Sequence, residues 1–136
     1  MQIVDDIIML LLSYPDLKAE FDENDIVHIY SNKTSTVLNV TFGKREHTMC
    51  FDGCHWHFDN DDIGNAELIE IIAKIITNNA YIRITKKDGI ICGWELDINY
   101  LPNTPYQAPV RTNRISLLSL NPFKRKEVEY RQLEFL

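Results

Sequence analysis

Asp52-Gly53 sits between two short runs that alternate apolar and polar residues, and no other feature restricts the fold of this chain as tightly. An Asp-Gly pair suits the two positive-φ positions of a type I′ turn, whose twist matches a two-residue β-hairpin. Phe51 then pairs with Cys54, Cys50 with His55 and Met49 with Trp56. Side chains alternate faces along a strand. Met49, Phe51, Cys54, Trp56 and Phe58 therefore share a core face, and Thr48, Cys50, His55 and His57 share the other. A second pair, Asp88-Gly89, lies between two further β-rich runs. A two-residue turn there puts Ile82 and Ile84 beside Glu95 and leaves Trp94 and Leu96 on the opposite face. A three-residue turn, Lys87-Asp88-Gly89, sorts the faces. Ala80, Ile82, Ile84, Ile90, Cys92, Trp94 and Leu96 then line one side, and Arg83, Thr85, Glu95 and Asp97 the other. One buried face fixes register, so the three-residue turn is expected.

The other elements follow from periodicity. Ile3, Val4, Ile7, Ile8, Leu11 and Leu12 recur at helical spacing, with Asp5 and Asp6 near the positive end of the dipole. Ser13-Tyr14-Pro15-Asp16 breaks this helix and is expected to cap a short second one running through Glu20. Strands are expected over 26–30, 37–42, 47–51 and 54–58, with turns at 31–34 and 43–45. Leu38, Val40 and Phe42 share one face of their strand. A helix follows, with Asn65 as its N-cap, an apolar stripe of Leu68, Ile71, Ile72, Ile75 and Ile76, and Asn78-Asn79 at its end. Residues 101–109 hold three prolines and read as a loop, 114–120 as a short strand, and Asn121-Pro122 as a helix start. Consecutive hairpins with helices on one face of an antiparallel sheet make an α+β fold. The chain of 136 residues is expected to be one domain. Residues 1–100 would form its compact core, and 101–136 a Pro-containing loop and C-terminal extension.

Charge is unevenly spread. Up to Glu70 there are 14 Asp and Glu against 4 Lys and Arg; beyond it there are 6 against 10. The sequence pI is about 5.1, which disfavours nucleic acid and favours cationic partners. That weighs against an RNA or DNA role for Lys124-Arg125-Lys126, with Arg111, Arg114 and Arg131 around it. Those cations are expected to balance the acidic half or to line a solvated helix face. The apolar start carries Asp5 and Asp6 and no Lys or Arg before Lys18, unlike a secretory leader, and is too short to span a bilayer. Three cysteines, Cys50, Cys54 and Cys92, make no disulfide framework and suit a reducing cytoplasm.

The run from Cys50 to His57 holds two thiols and two imidazoles, a donor set zinc accepts. The hairpin separates Cys54 from the rest and leaves Cys50, His55 and His57 on one face. The same trio would serve a thiol-dependent enzyme, but no third orienting group can be named. No phosphate-binding glycine loop, nucleophile elbow or zinc-protease helix is present. Asp59-Asn60-Asp61-Asp62 opens like a calcium loop, with Gly64 in sixth place and Glu70 in twelfth, but the ligand spacing between them fails the full pattern. No catalytic residue, metal or cofactor is assigned. What remains is an acidic surface: Asp22, Glu23 and Asp25 in one loop, Asp59, Asp61 and Asp62 in another, and Glu67 and Glu70 on the helix after it.

With its acidic charge, its size and its Trp-bearing hairpins, Gly53-Cys54-His55-Trp56 and Gly93-Trp94-Glu95-Leu96, the chain resembles small immunity proteins. These belong to bacterial contact-dependent inhibition and other polymorphic toxin systems. The resemblance implies a cytoplasmic, non-enzymatic α+β protein, a monomer or weak dimer. It would bind a cationic toxin domain, a nuclease foremost; the resemblance carries over no site residue, and it is from their charge that the acidic residues named above are expected to cover that domain's active site. It implies no nucleic-acid or membrane partner. The chain is also similar in outline to acidic secretion chaperones, whose dimer face would here be the helix of Leu68 and Ile76. A small metal- or thiol-dependent enzyme using Cys50, His55 and His57 is the remaining alternative.

Overall fold

A computed structural model describes residues 2–97, 111–113 and 126–136, and they form an α+β fold of antiparallel sheets. They fall into two compact units, Met1–Asn78 with Glu134–Leu136, and Asn79–Leu133. The boundary expected at residue 100 lies outside the described residues.

The first unit begins with α1 (Gln2–Leu12), then β1 (Leu17–Phe21), β2 (Ile26–Ser31), β3 (Leu38–Thr41), β4 (Glu46–Phe51), β5 (Cys54–Asp59) and α2 (Asp62–Ile76). Its five strands pair in sequence order, all antiparallel. Asp52 and Gly53 lie at φ 49° and 79°, and the pairs Phe51↔Cys54, Cys50↔His55 and Met49↔Trp56 are those the Asp-Gly turn predicts. Leu38, Val40, Phe42, Met49, Phe51, Cys54, Trp56 and Phe58 are all buried. So is the α2 stripe of Leu68, Ile71, Ile72, Ile75 and Ile76. Both helices pack on this unit, α1 beside β1 and α2 beside β5. Only Ile3, Ile7 and Leu11 of α1 are buried; Ile8, Met9 and Leu12 are exposed, so its buried stripe is narrower than the sequence suggested.

Two expectations fail here. Residues 17–20 form strand, not helix. The segment carries Lys, Ala and Glu, residues that favour helix, but every residue of β1 pairs with β2, and tertiary pairing overrides propensity. The N-cap of α2 is Asp61, not Asn65: Asp61 Oδ1 accepts from the Gly64 amide at 2.7 Å. The first turn holds no core residue, with Ile63 82% exposed, so apolar periodicity placed the start a turn too late. Gly64 stands there because a Cβ would lie 2.0 Å from the Asp59 carbonyl oxygen, where helix and strand nearly touch. The helix does end near Asn78, which adopts a left-handed φ of 62°.

The second unit holds β6 (Tyr81–Lys87), β7 (Ile90–Asp97), β8 (Arg111–Asn113) and β9 (Lys126–Gln132), in the order β8-β7-β6-β9. The Asp88-Gly89 turn has two residues, at φ 51° and 78°, and not three. Lys87 pairs with Ile90 and Lys86 with Ile91; the register then shifts, so that Thr85 meets Gly93 and Ile84 meets Trp94. Cys92 is the extra residue of a β-bulge. The shift puts Ile82, Ile84, Trp94 and Leu96 on the buried face as expected, but Ile90, nearer the turn, is exposed. On the other face Arg83 pairs with Glu95 at 2.9 Å. Residues 126–132 are strand, which corrects the helix expected after Pro122 over that stretch. The loop expected at 101–109, the strand at 114–120 and Asn121-Pro122 lie outside the described residues. Among the described residues no helix is long and apolar enough to cross a membrane.

Candidate functional site

Strand parity decides where the acidic residues go. In a sheet of successive antiparallel neighbours, every second connection falls at the same end. The β1–β2 loop, the β3–β4 loop and the β5–α2 connection therefore share one end of the five-stranded sheet. Backbone bonds stitch them together: the Phe42 amide donates to the Asp25 carbonyl at 2.9 Å, and the Asn60 amide to the Arg45 carbonyl at 2.8 Å. Asp22, Glu23 and Asp25 thus lie at the same end as Asp59, Asp61 and Asp62. They do not touch across it. The β3–β4 loop stands between them and carries Lys44 and Arg45, both exposed. β2 and β5 are separated by about 14 Å at ordinary strand spacing. Nothing in the run Gly43-Lys44-Arg45 marks these two cations as part of a site; the pairing of neighbouring strands places them there. Exposed Glu46, opposite Asp59, adds another carboxylate.

The carboxylates have different duties. Asp22 accepts from the Asn24 and Ile26 amides at 2.8 and 3.3 Å and from His28 Nε2 at 2.9 Å. The His28 contact, with those amides adding to it, holds the Asp22 carboxyl below its ordinary range. The same contact, helped by Asn39 Oδ1 against Nδ1, raises the His28 imidazole above its ordinary value. Asp61 caps α2, and Asp62 in its first turn is favoured by the dipole. Asp25 sits at a left-handed φ of 58°. Glu23, Asp59 and Asp62 are exposed, and neither a cap nor a loop-closing bond ties down their side chains. Glu67 and Glu70 are not gathered with the others. α2 runs back along the sheet, so Glu70 lies about 12 Å further down the helix axis than Asp62.

Asn65, displaced from its expected role, joins a buried network. Its Oδ1 lies 3.0 Å from His47 Nε2, and its Nδ2 donates to Asn60 Oδ1 at 3.1 Å. The Gly43 amide donates to His47 Nδ1 at 3.3 Å, so the ring carries its proton on Nε2 and donates to Asn65. Asn60 Nδ2 reaches the Gly43 and Lys44 carbonyls, each at 3.2 Å. This network fixes the loop that carries Lys44 and Arg45 against the start of α2.

The Cys50, His55 and His57 trio lies where the hairpin predicts, on the outer face of β4 and β5. Their contacts are those of a strand surface. The rings of His55 and His57 meet edge to face with centroids 5.2 Å apart. His57 Nδ1 lies 3.2 Å from Thr48 Oγ1 and 3.3 Å from Glu46 Oε1. Among the described residues no three His, Cys, Asp or Glu side chains converge as metal ligands. The calcium-loop reading meets a direct obstacle: from Asp62 onward its residues are helical, and Glu70, twelfth in that run, stands on the third turn. The helix considered as a chaperone dimer face has its apolar stripe buried within the chain itself. Arg114 and Lys124-Arg125 lie outside the described residues. Within the second unit Arg131 pairs with Glu129 at 3.0 Å, and Lys86 with Glu129 at 3.2 Å.

No family model, curated protein or solved structure matches this chain.

Proposed function

We propose that this chain is an immunity-type inhibitor. It would neutralise a cationic toxin domain, a nuclease foremost, in the cytoplasm of the cell that makes both. The observation that supports this reading is the shared end of the five-stranded sheet. There, among the described residues, Asp22, Glu23, Asp25, Glu46, Asp59, Asp61 and Asp62 surround two cations, Lys44 and Arg45. Such a field speeds the approach of a basic partner. Occupying an active site needs no chemistry from the inhibitor. Lys44 and Arg45 would give the patch register, since a partner must bring a carboxylate or a carbonyl to that middle position.

The test reverses Glu23, Asp59 and Asp62 to Lys and leaves Asp22 and Asp61, which hold the loop and cap the helix. Against the toxin domain encoded beside this chain, the triple variant should associate on the order of a hundredfold more slowly at low salt. It should also lose protection in a growth assay. Unchanged protection by a folded triple variant would sink the reading.

A further inference from the structure

β1 forms one edge of the five-stranded sheet. Lys18, Ala19, Glu20 and Phe21 are exposed, Phe21 at 47%, and only Leu17 is buried. The Asp22 amide donates to the Ile26 carbonyl at 3.0 Å. Antiparallel pairs alternate between hydrogen-bonded and open. Glu20 and Lys18 therefore turn their main-chain groups toward β2, while Ala19 and Phe21 turn theirs outward. Leu17 also points outward, but its amide already donates to the Tyr14 carbonyl at 3.0 Å. Among the described residues no strand pairs with this edge, and such an edge is a template for another strand.

From the order of residues along this edge, we propose that it pairs with β1 of a second copy of the chain, antiparallel, about a two-fold axis at Ala19. The sequence Leu17-Lys18-Ala19-Glu20-Phe21 is self-complementary in that arrangement. Lys18 of each copy stands opposite Glu20 of the other, in an open pair where side chains approach most closely. Leu17 stands opposite Phe21 on the helix side of the sheet. The Ala19 amides and carbonyls meet across the axis, and each Phe21 amide meets the other copy's Leu17 carbonyl. The one outward amide that could not join, that of Leu17, is the one already satisfied. A lone edge lysine deters pairing; a lysine with a glutamate two places on selects its own copy. Tyr30 Oη donates to Glu20 at 2.7 Å and steadies that carboxylate on the outer face. A closed two-fold contact of this sort is isologous. It would join two five-stranded sheets into one and point the two acidic ends in opposite directions. Both ends stay open, so this inference stands or falls apart from the inhibitor reading.

Sedimentation of the full chain over a range of concentrations tests it. The wild type should show a monomer–dimer equilibrium. Lys18→Glu should weaken the dimer about tenfold or more, because each axis-related pair becomes Glu against Glu. The double variant Lys18→Glu/Glu20→Lys should restore it. Ala19→Pro should abolish the dimer with an unchanged circular dichroism spectrum, since the amide it removes takes no part in the β1–β2 ladder. A wild type that stays monomeric throughout, or a dimer indifferent to Lys18→Glu and Ala19→Pro, would overturn the proposal.

Discussion

Asp52-Gly53 and Asp88-Gly89 make the same turn, with each Asp and each Gly in the left-handed region at matching angles. The hairpins beyond them differ. From Asp52-Gly53 the register runs unbroken from Phe51↔Cys54 to Glu46↔Asp59. From Asp88-Gly89 it shifts after two pairs and leaves Cys92 as a bulge. In the first hairpin the turn's own register already buries Met49, Phe51 and Trp56. In the second, the same register would set Glu95 beside Ile82 and Ile84 and turn Trp94 outward. Turn chemistry chooses the first pairs, burial chooses the faces, and the bulge reconciles the two where they conflict. Placing the extra residue in the turn, as the sequence suggested, would have sorted the faces equally well. The Asp-Gly preference for a two-residue turn moved it into the strand instead.

Deleting one cysteine from each hairpin should break the comparison most sharply. Without Cys50, Met49 moves opposite His55 and Thr48 opposite Trp56, and the pairing with β3 shifts as well. The first unit should lose its cooperative fold. Without Cys92 the bulge disappears and the pairs Thr85↔Gly93 and Ile84↔Trp94 persist. The loss should be about 1–2 kcal/mol, that of a small buried side chain. Each unit contains one of the two tryptophans. Urea unfolding in Trp94→Phe and Trp56→Phe backgrounds therefore reads the two units separately. Equal damage from both deletions would contradict the bulge account.

The glycines should behave alike, which sharpens the comparison. Gly53 and Gly89 have the same left-handed φ, and open space surrounds the position of a Cβ at each. Alanine at either site should cost about 1–2 kcal/mol through backbone strain alone. Unequal costs would show that the bulge relieves or adds strain at the second turn.

The smallest effect concerns the β1–β2 loop, which has no Asp-Gly pair and is closed by the Asp22 side chain. His28 has a raised pKa, so its contribution is fully present below its unfolded value, near 6.5. That contribution fades as pH rises through the folded value. Asp22 has a lowered pKa, so its contribution is present above about 3.8 and fades as pH falls through the folded value. The clamp is strongest between the two, in mildly acidic solution. An NMR titration should show the His28 pKa falling back in Asp22→Asn; an unmoved value would remove the Asp22 contact as its main cause.

Local rules made much of this legible. The pairing of β4 with β5, the α2 stripe and the opposite faces of Met49 and Cys50 follow from contiguous residues. β1 could not be read in this way, because an edge strand with one buried residue has no periodicity to display. β9 was hidden for a similar reason: Glu127, Glu129 and Arg131 alternate with Val128 and Tyr130, and none of the five is buried. The candidate acidic residues were recognisable one by one, but their sorting into helix cap, loop clamp and exposed charge was not. That depends on which amide lies within reach of each carboxylate.

By itself the sequence determined the Asp52-Gly53 turn and its register, the α2 stripe and the acidic bias of the first half, since each is a property of neighbouring residues. Tertiary structure alone decided that two acidic loops share one end of a sheet with Lys44 and Arg45 between them. It also decided that Cys92 is squeezed out of register and that β1 is left with an open edge. These depend on which strands lie side by side, and that is settled by burying apolar faces from distant parts of the chain together.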